Sequence, residues 1–271
     1  MGIESQPNLM NIHRSFAGTD LGQTLADQVR YDRYKPEAVS NERWVQLLGA
    51  DVNNLTHMPL TWGLTMSFVS RINAQQPDLL NTHEGQVLQA AALIHDWAEA
   101  IVGDITFSEK TSEQETEEHS QLIAILEQFS GETTQDIWGL VDEAAHSVVF
   151  SHEGKLGHMF NTIERVGYLR TALRASQHVR AGSAPDCENG LMWIVADVFG
   201  NQPITLMDRA ADYEPVSDYL RHQSEAIAQA FDIVHPDIFS CYPVQQQAPK
   251  YEAFYAAQIA WAEWSTNFPA A

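Results

Sequence analysis

Lysine is scarce in this chain. Only Lys35, Lys110, Lys155 and Lys250 occur, and lysine plus arginine number 15 against 36 acidic residues. The formal charge of −21 at pH 7 argues against one broad class of partner. A sequence-independent grip on a nucleic-acid polymer needs a basic stripe that displaces counterions, and the sequence contains none. A phosphate-bearing ligand would therefore have to be held by a few local cations or by a metal ion. Cysteine is nearly absent too, since Cys187 and Cys241 are too few for a disulfide framework. No apolar run approaches the roughly 20 residues of a membrane span. Residues 1–11 lack the basic start and apolar centre of a signal peptide. A cytoplasmic protein without a membrane partner is the expectation. Internal repeats, low-complexity tracts and strand-like alternation of useful length are missing as well, which leaves an all-α fold.

What is present suffices for a sizeable core: 271 residues, 44% of them hydrophobic, with seven tryptophans. Residues 1–40 are expected to form a loose arm, with a short helix over 22–31 that Lys35-Pro36 interrupts. A core over 41–176 and a helical extension over 177–271 follow. Within the core, Thr56 is placed to cap a helix in which Leu60, Leu64, Phe68 and Ile72 recur every four residues, with His57 on the same face. An acid-headed amphipathic helix is expected from 113 to 129 and another from 134 to 150. Met159, Ile163, Val166, Leu169 and Leu173 mark one more. The extension carries helix-like runs near 190–199, 215–231 and 251–264, and reads as a decoration, a lid or the surface of a homo-oligomer.

The chemistry is concentrated between Ala91 and Asp104. The apolar run 86–102 reads as one buried helix that Gly103 closes in a left-handed cap. On such a helix His95 and Glu99 share a face, while Asp96 is flanked by Ala92, Leu93 and Ala100. A bare buried carboxylate is costly, so Asp96 requires a cation, and a metal ion is the simplest one. Glu164, between Phe160 and Tyr168 at helical spacing, has the same need.

The pattern His95-Asp96-x-x-Glu99-x-x-x-Gly103-Asp104 resembles the HD-domain metal-dependent phosphohydrolases, and most closely their 5'-deoxynucleotidase branch. The resemblance runs from Arg43 to Leu173. It implies an HD-domain helical bundle holding one divalent ion (Mn, Co, Fe, Ni, Zn or Mg) on His57, His95, Asp96 and Glu164, the last standing where the family usually has Asp. Glu99 and Asp104 would be the catalytic proton-transfer groups. Lys110 and the Arg43-Trp44 pair would bind substrate phosphate and sugar, and the substrate would be a deoxynucleoside 5'-monophosphate. Local readings stand beside these: Asp104 as a turn residue after Gly103, Lys110 as ordinary surface, Trp44 as core. His158 and Asp197 are rival fourth ligands. Three other functions compete: a nucleoside triphosphate hydrolase, a diiron oxygenase using His119 and His146, and a binding module with a degenerate site.

Overall fold

The computed structural model describes residues 8–103, 111–131, 134–151 and 154–267. Among them every regular element is a helix, and the only β-type pairing is an isolated antiparallel bridge between Val29 and Asn53. The fold is all-α, and no helix of the described residues is long and apolar enough to cross a membrane. The chain divides into two compact units. Met1–Arg30, Asn53–Asn73 and Pro77–Ile163 form the first, and Tyr31–Val52, Ala74–Gln76 and Glu164–Ala271 the second.

The first unit begins with α1 (Met10–Ala17) and α2 (Asp20–Asp27), where a loose arm was expected. Leu9, Ile12 and Phe16 are buried, an apolar stripe at helical spacing that outweighs the polar residues around it. The helix expected over 22–31 stops at Asp27, and Val29 enters the bridge with Asn53. In α4 (Asn54–Gln75) the cap is Asn53 and not Thr56: the Thr56 backbone N–H donates to Asn53 Oδ1 at 3.1 Å. The buried face of α4 also differs from the four-residue stripe, for Leu60 is exposed while Met58, Thr61, Thr65, Phe68, Val69 and Ile72 are buried. Residues four apart drift by about 40° per step, so a helix keeps one face inward only by mixing steps of three and four.

α5 (Thr82–Ile94) opens with a capping box between Asn81 and Glu84 and buries nearly every residue from Val87 onward. The expected single helix over 86–102 breaks at its chemical centre. His95–Ala98 is a turn, held by i→i+3 bonds from Trp97 N–H to Ile94 and from Glu99 N–H to Asp96, before α6 (Glu99–Val102). Gly103 closes α6 at φ +82° and ψ 163°, a region open to glycine alone in practice. α7 (Ser112–Phe129) has a second capping box, Thr111 with Gln114, and α8 (Gln135–Ala144) runs into a π-helical turn, Ala145–Val149. α5 packs on α8, on that turn and on α1, while α6 packs on α2 and α7. Trp97 is fully buried in this core, stacked on Phe16 at 4.2 Å and close to Phe129 at 5.4 Å between ring centroids.

The second unit contains α3 (Asn41–Leu48) and, after α9 (Lys155–Ala181), α10 (Glu188–Arg209), α11 (Glu214–His222), α12 (Ser224–Asp232) and α13 (Val244–Thr266). α10 is its centre, packing on α11, α12 and α13. Buried Asp197 on α10 accepts hydrogen bonds from Lys250 Nζ at 2.6 Å and Tyr34 Oη at 2.8 Å, and lies 3.4 Å from both Arg33 and Tyr242. Gly190 makes room for this cluster: a Cβ there would lie 2.2 Å from the Tyr34 carbonyl oxygen.

Candidate metal centre

Three of the sequence-expected residues converge in the first unit. The turn after α5 presents His95 and Asp96, the first turn of α4 presents His57, and all three are buried. Their ligand atoms lie within 4.8 Å of one another. Asp96 Oδ2 is 3.3 Å from His95 Nε2 and 3.8 Å from His57 Nε2. The two imidazoles meet edge to face at 5.3 Å, and His95 also packs edge-on against Phe160. Thr61 Oγ1 lies 3.2 Å from His57 Nε2.

Two imidazole nitrogens and a carboxylate suit a borderline divalent ion. Ligands about 2.0–2.2 Å from one ion lie roughly 3–4 Å from each other, and the separations of Asp96 Oδ2 from the two imidazole nitrogens fall in that range. The group can therefore hold a metal ion.

A cation that local sequence reading did not find is already there. Arg30 Nη1 donates to Asp96 Oδ2 at 2.5 Å, with both side chains about nine-tenths buried. Burial alone would raise the Asp96 carboxyl, but the charges of His95, Arg30 and His57 and the Arg30 hydrogen bond outweigh it and hold the group at about 2.

Glu99 is buried as well, and its Oε2 accepts a 2.9 Å hydrogen bond from Asn54 Nδ2. The i→i+3 turn changes its relation to the motif. A regular helix would put His95 and Glu99 on one face, but His95–Ala98 is a turn in which the Glu99 N–H bonds back to the Asp96 carbonyl, so regular helical spacing does not set their relation.

The remaining candidates fall elsewhere. Glu164 is half-buried on α9, is counted with the second unit, and acts electrostatically on Arg165, so it does have a charged neighbour. Arg43 and Trp44 also belong to the second unit: Trp44 is fully buried, and half-exposed Arg43 pairs with Asp186 at 3.9 Å. Asp104 and Lys110 lie outside the described residues. Of the rivals, Asp197 has Lys250 and Arg33 as its cations, and His158 is half-buried on α9. His119 and His146 both pack against the Phe150 ring and are not members of the His57 group.

Searches of curated proteins and of solved structures each found no match. Residues 57–179, a little under half of the chain, match the family model described as HD domain. That segment contains His57, His95, Asp96 and Glu99, so the match supports an HD-domain family and, in general terms, a metal-dependent hydrolase.

Proposed function

We propose that the protein is a metal-dependent phosphohydrolase that removes phosphate from nucleoside 5'-monophosphates, with deoxynucleotides preferred. The observation that carries this reading is the buried His57–His95–Asp96 group inside the matched segment. His57, His95 and Asp96 would hold one divalent ion, with Glu164 proposed as a further ligand. When bound, such an ion supplies Lewis-acid polarisation of the phosphoryl group.

The chain's own residues account for charge and protons. Arg30 places a guanidinium beside the carboxylate, where it can also face an incoming phosphate oxygen. Glu99 takes a proton from the attacking water as the new P–O bond forms and the bond to the sugar oxygen breaks. Asp104 returns a proton to that departing oxygen. Arg43, Trp44 and Lys110 are proposed to contact phosphate and sugar.

A phosphate-release screen tests the reading. The full chain is assayed with nucleoside mono- and triphosphates in Mn, Co, Mg, Zn or Fe. Release from monophosphates, strongest with deoxyribose, is the expected result. Turnover of triphosphates alone would reassign the substrate, and no release with any metal would overturn the proposal.

A further inference from the structure

We infer that Asn54 is the positioning residue of this site, its side-chain amide fixing the Glu99 carboxylate for proton transfer. The inference rests on the phosphohydrolase reading above.

Asn54 is fully buried, and its Nδ2 donates both to Glu99 Oε2 at 2.9 Å and to Gln28 Oε1 at 3.2 Å. An amide nitrogen has two hydrogens, one for each acceptor, which neither a hydroxyl nor a carboxylate provides. The backbone beneath it is fixed from two sides. The Asn54 N–H donates to the Gln28 carbonyl at 3.3 Å, and the Asn53 side chain donates to the carbonyls of Ala26 and Gln28 at 2.7 and 3.2 Å. Val29 and Asn53 form the antiparallel bridge, so the strap carrying Arg30 to Asp96 is tied to the helix start carrying Asn54 to Glu99. His57 follows three residues later on that helix.

Asn54 Oδ1, by contrast, is buried without a hydrogen-bond partner among the described residues. An unpaired buried acceptor costs stability, and a residue serving packing alone would not need it. Such local violations concentrate where function requires a particular group.

The test is a double-mutant cycle on the manganese-loaded full chain, with thymidine 5'-monophosphate and p-nitrophenyl phosphate as substrates. Asn54→Ala is expected to lower kcat about 10- to 100-fold, the scale of a misplaced catalytic group, with KM and metal content unchanged. Asn54→Ser, which keeps one donor, should recover part of the loss. In a Glu99→Gln background, Asn54→Ala should change kcat by less than about twofold, because the group it positions is gone. In the metal-free protein, Glu99→Gln should shift the side-chain NH₂ resonances of Asn54. Equal losses in both backgrounds, an unmoved amide signal, or loss of metal or fold in both Asn54 variants would overturn the positioning role while leaving the phosphohydrolase reading standing. If the unaltered protein releases no phosphate from these substrates or from any nucleotide with Mn, Co, Mg, Zn or Fe, that reading fails, and this inference fails with it.

Discussion

Asp96 shows how a buried acid and its surroundings depend on each other. Its carboxylate is held ionised by His95, Arg30 and His57, and only Arg30 carries a permanent charge. Replacing Arg30 by Met leaves the charge buried with two titratable rings. Removing one partner of a buried pair typically costs about 3–5 kcal/mol, so metal-free Arg30→Met is expected to unfold at markedly lower urea. A divalent ion then becomes the carboxylate's main counter-charge. Added manganese should accordingly raise Tm more in Arg30→Met than in the unaltered protein, and an equal or smaller rise would show that Arg30 is not the counter-ion. His13 on α1 is the opposite case, a buried imidazole whose pKa burial lowers from 6.5 to about 4. The folded form excludes a proton that the unfolded chain accepts. Its contribution is complete above pH 6.5, declines as pH falls from there to 4, and declines no further below. The loss is on the order of 2 kcal/mol. His13→Gln should flatten that part of the stability profile, as urea midpoints at pH 7, 5.5 and 4 would reveal.

The helices differ in how far local sequence disclosed them. α7 could be read from its acidic first turn and apolar stripe, and the end of α6 from Gly103, because those signals lie within a few residues of what they control. The break at His95–Ala98 was not legible, since it coincides with the stacking of Trp97 on Phe16, far away in sequence. The need of Asp96 and Asp197 for cations could be inferred from their apolar neighbours. The identity of those cations could not: Arg30 and Lys250 arrive across 66 and 53 residues, and Asn54 reaches Glu99 across 45. α1 is a different kind of miss, for Leu9, Ile12 and Phe16 stand in plain helical spacing among polar residues. A loose arm could lose Phe16 without consequence. Because Phe16 is fully buried against Trp97, the neighbour of Asp96 in the chain, Phe16→Ala is expected to cost about 3–5 kcal/mol. Equilibrium urea unfolding gives the number, and a change below about 0.5 kcal/mol would mean that α1 contributes little to the core.

At the scale of the whole molecule, the excess of 36 acidic over 15 basic residues acts on a substrate before any side chain touches it. The proposed substrate, a nucleoside monophosphate, would be an anion approaching a body of formal charge −21, so the long-range field would oppose encounter and the attraction of Arg30 would be felt only nearby. The two effects differ in range, and salt separates them. Raising ionic strength from about 0.01 to 0.15 M shortens the screening length from about 30 to about 8 Å. That shrinks the repulsive envelope more than it weakens a contact at hydrogen-bond distance inside a buried site. kcat/KM for a monophosphate is therefore expected to rise with NaCl at fixed metal concentration, by roughly two- to fivefold, whereas an enzyme steering anions through a basic surface would slow down. The metal loading is checked at each salt concentration, so that the slope reports encounter and not metal loss. A fall in kcat/KM with salt would mean that local cations, Arg30 foremost, govern the approach of the substrate despite the charge of the chain as a whole.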